Sequence, residues 1–246
     1  MRLRMTIAYD GSGYAGWQRV PTGAAVQEKI EKVIAGIVGR HVGVEGASRT
    51  DQGVHAAGMV ASLNWEHPRV GPAELRRALN ALLPPDIRVL EVRAAPTKFH
   101  ARFSAKRKLY RYRIQNAPVA DPLRRGVCWH ISHVLALDAM RTAARTFIGK
   151  HDFSAMAVNP GYKRNTMVRT ILKCHVRRRG DEILIEVEGD GFLYKMVRTI
   201  VGTLAEVGAG RRTAASVAAL LKARDRRLSG KTAPAHGLCL VRVMYR

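Results

Sequence analysis

Residues 47 to 63 read Ala47-Ser48-Arg49-Thr50-Asp51-Gln52-Gly53-Val54-His55-Ala56-Ala57-Gly58-Met59-Val60-Ala61-Ser62-Leu63. A polar, glycine-punctuated loop runs directly into an apolar, strand-like stretch from Ala56 to Trp65. The pattern sets one carboxylate, Asp51, two positions after Arg49 and at the end of a rigid strand. With no second acid, cysteine or Ser-His pair beside it, chemistry here would rest on a lone carboxylate acting as nucleophile or base. The same string is also compatible with a plain turn in which Thr50 and Asp51 bond local backbone N–H groups.

Working outward, Leu3, Met5 and Ile7 alternate with other residues as a strand does, and a Gly-rich loop follows. Val26, Ile30, Val33, Ile34 and Ile37 recur at helical spacing from about Ala24 to Val38, with Gly39 as a natural stop. Short strands are expected at Val42 to Glu45 and Ala56 to Trp65, then a helix from Pro72 to Leu83 halted by Pro84-Pro85, and a strand from Ile87 to Arg93. Similar elements return after a polar connector at 94 to 105. They are a strand at Lys106 to Ile114, a helix at Leu137 to Ile148, strands at Val168 to Arg178 and Glu182 to Glu188, helices at Phe192 to Val207 and Ala214 to Ala223, and a last strand at Leu238 to Tyr245. Two successive split βαβ units fit this order better than one doubly wound sheet, so the expected class is α+β with halves 1–104 and 105–246, the second carrying insertions.

The 246 residues are 47% apolar, enough for real cores, but 42 Lys plus Arg against 19 Asp plus Glu leave a formal charge of +23. Such an excess calls for a polyanionic partner, because cations that neutralise phosphates release condensed counterions. The basic residues are spread along the chain and form no amphipathic or juxtamembrane cluster, which favours nucleic acid over a membrane surface. Cys128, Cys174 and Cys239 are odd in number and far apart, so they suggest reduced core thiols and neither a disulfide framework nor a metal site. The amino terminus turns polar before an apolar leader could form, and no 18-residue apolar run exists, so a soluble cytoplasmic protein is expected.

Five ordered segments resemble the tRNA pseudouridine synthases of the TruA type. They are Ser48 to Ala56, Tyr9-Asp10-Gly11-Ser12-Gly13-Tyr14-Ala15-Gly16-Trp17-Gln18, Phe99-His100-Ala101-Arg102-Phe103-Ser104-Ala105, Lys108-Leu109-Tyr110-Arg111-Tyr112, and Gly191 to Gly202. The resemblance implies two tandem ferredoxin-like (RRM-like) halves with joined antiparallel sheets around a central catalytic cleft. It implies isomerisation of uridine to pseudouridine at positions 38 to 40 of the tRNA anticodon arm, with neither cofactor nor metal, by a homodimer. It also implies that Asp51 is the catalytic carboxylate, that Arg198 is its partner cation, that Arg49 holds the flipped nucleotide and that Tyr110 stacks on the target uracil. Whether Asp51 attacks C6 of the base or C1' of the ribose, or takes a proton from C2', is left open. The competing reading is a noncatalytic RNA-binding module of tandem RRM-like units, with no use for Asp51; an RNP1-type aromatic pattern is not evident.

The remaining sites are weighed against plainer roles. Gly11-Ser12-Gly13-Tyr14-Ala15-Gly16 is a literal Gly-x-Gly-x-x-Gly, but Trp17, Pro21 and Gly23 delay the helix, which argues against a dinucleotide turn. The strand Lys106 to Ile114 sets Lys108, Tyr110 and Tyr112 on one face and Arg107, Leu109, Arg111 and Arg113 on the other, so cations and rings could serve single-stranded RNA, against the plainer role of a basic edge strand that discourages aggregation; the resemblance implies that Tyr112 is a packing residue. Phe99, His100, Ala101, Arg102 and Phe103 are expected tRNA contacts, Arg102 for phosphate, together with Gly161, Tyr162, Lys163, Arg164 and Asn165. The stripe Leu193, Met196, Val197, Ile200 and Leu204 leaves Arg198 on the opposite, solvated side of its helix by periodicity alone, although Gly202 permits a close approach there. His55 reads as structural, with no partner triad.

Overall fold

The computed structural model describes residues 1–21, 23–159, 161 and 166–246. The chain forms two compact units, Met1–Lys106 with Cys239–Arg246, and Arg107–Leu238. The first contains β1 (Arg2–Tyr9), α1 (Val26–Val38), β2 (Glu45–Gly46), β3 (His55–Asn64), α2 (Pro72–Leu82) and β4 (Ile87–Ala95). Strand β1 lies between β4 and β3, antiparallel to both, and β2 pairs antiparallel with the far side of β3. Strict alternation drives this arrangement: Leu3, Met5, Ile7 and Tyr9 of β1 are buried while Arg2, Arg4 and Thr6 point the other way. Each fully buried Leu, Ile or Met contributes roughly 1.5–3 kcal/mol relative to exposure.

Helix α1 buries Val26, Ile30 and Ile34 and ends where Gly39 takes a left-handed φ of 72° and donates its N–H to Ala35. Its Glu31 is also buried. That carboxylate accepts from Arg19 at 2.8 Å, from Gln27 and from the Val44 backbone N–H at 2.9 Å. Diverting the Val44 donor explains why the strand expected at Val42 to Glu45 is reduced to Glu45–Gly46. Helix α2 starts on Pro72 as expected, and Asn80 ties it to β4 by exchanging two hydrogen bonds with the Val89 backbone.

The second unit contains β5 (Arg107–Asn116), β6 (Trp129–Ile131), α3 (Leu137–Thr146), β7 (Gly149–Asp152), β8 (Val168–Arg179), β9 (Glu182–Gly189), α4 (Met196–Gly208) and α5 (Ser216–Ala223). Its sheet runs β5-β9-β8-β7, antiparallel throughout, with β6 added parallel to the end of β5. The short strands β6 and β7 carry no alternation and escaped the sequence reading. The closing strand β10 (Leu238–Met244) packs with the first unit, where Cys239 and Leu240 lie parallel to His55 and Ala56. Overall the protein is α+β. Among the described residues no helix is long and apolar enough to cross a membrane.

Candidate active site

Asp51 is half-buried in the loop that leads into β3, and that loop is pinned from several sides. The Thr50 carbonyl accepts from Trp17 N–H at 3.1 Å, Gly53 N–H donates to Tyr14 at 3.3 Å, and Val54 N–H closes the turn onto the Asp51 carbonyl at 3.1 Å. The buried Thr50 hydroxyl lies 2.7 Å from the Tyr9 hydroxyl. Two glycines of the Gly-x-Gly-x-x-Gly segment allow this closeness. A Cβ on Gly11 would stand 2.1 Å from the Val54 carbonyl oxygen, and one on Gly16, whose φ is +110°, would stand 2.5 Å from that of Thr50. The segment is therefore a backbone wedge beneath the Asp51 loop, and α1 begins only at Val26, as the rejection of a dinucleotide turn required.

His55 is buried, and its Nδ1 accepts the Gly11 N–H at 3.1 Å while lying 3.1 Å from Asp10 Oδ1. Burial would raise the Asp10 pKa, but the backbone and side chain of Ser12, with His55, hold it below its usual range. His55 is thus a structural pin for the wedge, in line with the plainer reading. Arg49 is exposed. Periodicity carried no signal for the Tyr9 and Trp17 contacts, since Tyr9 closes the strand and Trp17 lies in the aperiodic Gly-rich segment; their rings sit 6.1 Å apart.

The loop Phe99 to Phe103 belongs to the same unit but not to the same end of it. Ala101 accepts from Tyr245 Oη and donates its N–H to Ser62 Oγ. Ser62 and His55 stand near opposite ends of β3, roughly 20 Å apart at about 3.3 Å per residue. Ala101, expected as a tRNA contact, is fully buried and anchors the loop through its backbone. Phe99 packs on Tyr245 with ring centroids 5.0 Å apart. His100 turns the loop by accepting the N–H groups of Arg102 and Phe103 on Nδ1. That leaves Phe103 76% exposed, with its ring 4.3 Å from the His100 ring and 5.5 Å from the Arg102 guanidinium carbon. Of the other expected contacts, Gly161 is exposed with φ +82°, while Tyr162, Lys163, Arg164 and Asn165 lie outside the described residues.

In the second unit Tyr110 is buried, its ring edge-on to Phe192 at 5.1 Å. Tyr112 is fully buried and donates its hydroxyl to the Pro234 carbonyl at 2.8 Å. The expectation of an open face of rings and cations on this strand is corrected. Tyr112 is packed in the core as expected, Tyr110 keeps 6% of its surface exposed beside Phe192, and the opposite arginines are engaged by β9 carboxylates: Arg107 with Glu188, Arg111 with Glu186 and Arg113 with Glu182. Cross-strand registry sets Glu186 directly opposite Arg111, while Glu188, opposite Leu109, and Glu182, opposite Gln115, reach Arg107 and Arg113 diagonally, which sequence periodicity along one strand does not reveal.

Arg198 is also placed differently from the periodicity reading. It is half-buried; its Nε donates to the Ala233 carbonyl at 2.8 Å, and Ala233 N–H returns a bond to the Arg198 carbonyl at 3.0 Å. The segment 230–233 crosses α4 so tightly that a Cβ on Gly202 would lie 1.7 Å from the Lys231 carbonyl oxygen. Burial pushes the Tyr112 phenol up, against the pull of the nearby Arg198 charge. Among the described residues no group of three or more His, Cys, Asp or Glu is arranged to hold a metal ion. Cys128, Cys174 and Cys239 are not joined in disulfides, and burial pushes Cys128 up to about 11 and Cys174 up to about 12.

A half-buried carboxylate on a pinned strand-end loop, in an α+β chain with a large positive excess, is the arrangement required by the class of enzyme that does one-acid chemistry on a polyanionic substrate. Comparison with known proteins narrows the class. A family profile described as tRNA pseudouridine synthase matches residues 5–104 and 143–246. The chain is 43% identical over 243 residues to the tRNA pseudouridine synthase A of a Thermoanaerobacter species, covering 99% of each protein. It is 44% identical to the proteins of that name from Acetivibrio thermocellus, over 243 residues and 99% of each, and from Halalkalibacterium halodurans, over 96% of this chain and 90% of the relative. The chain belongs to the tRNA pseudouridine synthase family.

Proposed function

We propose that this protein converts uridine to pseudouridine within tRNA, with Asp51 as the catalytic carboxylate. The reaction breaks the N-glycosidic bond, turns the uracil and rejoins it to the ribose through C5. The product is an isomer of the substrate: C5 loses its proton to a base or solvent as the C–C bond forms and N1 takes one up, so no electron or group acceptor is required and no cofactor is invoked. The observation that carries the reading is the loop geometry: one half-buried carboxylate held on a strand-end loop by backbone and buried side-chain bonds, a preorganised geometry suited to covalent or general-base work.

Finer features belong to the same proposal. The substrate uridines are those at positions 38 to 40 of the anticodon arm. Arg198 is the partner cation of Asp51, Arg49 holds the flipped nucleotide, and Tyr110 supplies the ring for the base. His100, Arg102 and Phe103, with the segment from Gly161 to Asn165, contact the tRNA more remotely; the exposure of Phe103 and Arg102 supports this. Two ferredoxin-like halves, divided near residue 105, are supported by the β4-β1-β3-β2 order of the first unit with two helices between its strands. The working form is a cytoplasmic homodimer in which apolar burial outweighs the repulsion of two highly basic chains.

Incubation with an unmodified tRNA transcript, without cofactor and in EDTA, is expected to yield pseudouridine. Asp51→Asn is expected to abolish turnover while keeping tRNA affinity within about tenfold, because the amide preserves shape but neither charge nor nucleophilicity. Substantial turnover in that variant, read by single-turnover assay, would remove Asp51 from the chemistry.

A further inference from the structure

The Asp51 loop is also attached through side chains, at a point one residue from the carboxylate. Tyr9 is the last residue of β1, which is paired on both sides, and lies opposite Ala56 and Ile87 in the two ladders. Its side chain continues the buried row Leu3, Met5, Ile7, which packs into the core, so the ring is held by the most constrained part of the first unit. The ladder between β1 and β3 breaks register just there, passing from Ile7 opposite Met59 to Tyr9 opposite Ala56. Such an irregularity re-aims a strand, and it does so where β3 meets the Asp51 loop. The Tyr9 hydroxyl then meets the Thr50 hydroxyl at 2.7 Å with both residues buried, one position before Asp51. Trp17 completes the support, its N–H on the Thr50 carbonyl and its ring beside that of Tyr9.

From this geometry we infer that Tyr9 and Thr50 are positioning residues: their buried hydroxyl pair transfers the rigidity of β1 to the carboxylate of Asp51. The inference rests on the reading of Asp51 as the catalytic acid. Neither hydroxyl touches the reacting atoms in this account. Each acts through the other, and the pair works as a unit or not at all. A purely structural pair would affect stability and leave the turnover of folded enzyme alone. A positioning pair lowers kcat with tRNA binding unchanged, because the loop can then sample orientations that are unproductive for the chemistry.

The test compares Tyr9→Phe, Thr50→Val, the double variant, Thr50→Ser and Asp51→Asn on one unmodified tRNA transcript, each checked for native circular dichroism. Tyr9→Phe and Thr50→Val are expected to lower kcat roughly 10- to 100-fold, the scale of a small misplacement of a reacting group, while KM for tRNA stays within about twofold. The double variant is expected to be no slower than the worse single one, as for groups that act together. Thr50→Ser keeps the hydroxyl and is expected to restore most of the turnover lost in Thr50→Val, which separates hydroxyl loss from a folding defect. Wild-type kcat in both Tyr9→Phe and Thr50→Val beside an inactive Asp51→Asn would overturn the inference alone, as would losses that multiply in the double variant. An active Asp51→Asn would instead remove the reading beneath it.

Discussion

At the scale of single residues, the Asp51 loop depends on atoms that are missing as much as on those present. Gly16 combines a φ of +110° with a Cβ position 2.5 Å from the Thr50 carbonyl oxygen, and the obstructing atoms are backbone on both sides. Gly16→Ala therefore meets two costs, a left-handed backbone worth about 1–2 kcal/mol for an L-residue and a clash that only movement of the loop can relieve. The expected result is a melting temperature lower by several degrees, at about 2–4 °C per kcal/mol for a chain of this size, and turnover reduced more than tRNA affinity. Unchanged melting and turnover would show that the loop accommodates the methyl group freely. The Asp51 loop was legible as a polar turn ahead of an apolar strand, whereas the role given to Asp51 came from the resemblance, because the same string is compatible with a plain turn. Tyr9 was not legible, because an aromatic in the buried row of an alternating strand reads as core, and only the coordinates reveal that its hydroxyl reaches Thr50. Arg198 was half legible: the apolar stripe put it on the solvated side of α4, while Gly202, one turn on, marked the place where a close approach was possible, and the 230–233 segment lies across the helix there.

At the scale of elements, helix boundaries marked by Gly39 and Pro72 were readable, because those residues impose backbone angles locally. The start of α4 was not: Lys195 adopts a left-handed φ of 58°, so the helix begins at Met196, four residues after the apolar pattern starts at Phe192. The role of β9 was also unreadable, since its acids matter only through registry with two neighbouring basic strands. Glu186, buried on that strand, accepts from Arg111 at 2.8 Å and Lys173 at 2.8 Å, with Arg177 at 3.4 Å. Burial by itself would raise its pKa, but the hydrogen bonds from Lys173 and Arg111 and the charges of Lys173 and Arg177 bring it down to about 2. A carboxyl with a depressed folded-state pKa adds stability above its unfolded value of about 4.3 and loses it as pH falls through the folded one. Wild type is therefore expected to melt above Glu186→Gln at neutral pH, with the gap closing as pH drops from about 4.3 toward 2. A gap that stays constant across that window in thermal melts would mean that the three cations do not act through the ionised carboxylate.

At the scale of the whole molecule, the charge was the plainest feature of the sequence, while the way it is distributed needed the fold. Arg111, Arg113 and Arg124 are occupied by Glu186, Glu182 and the pair Asp121 and Asp181, so their contribution to an external polyanion is partly spent inside the protein. Internal pairing does not alter the sum, and the formal excess of +23 remains after every acid has been counted. The positive potential that results acts on tRNA through its backbone, where each neutralised phosphate releases condensed counterions, so the logarithm of affinity falls by roughly 0.7 to 0.9 per phosphate for each tenfold rise in salt. A protein neutralising about six phosphates loses roughly a thousandfold in affinity between 50 and 200 mM salt. The same rise is expected to leave kcat at saturating tRNA nearly constant, because the isomerisation occurs within one bound nucleoside and displaces no further counterions. Measured over that range, kcat/KM should thus fall steeply on a log-log plot with a slope of several units while kcat stays nearly flat. Salt-independent kcat/KM would remove the electrostatic account of tRNA binding, and a kcat falling in parallel would place a salt-sensitive contact in the chemical step itself.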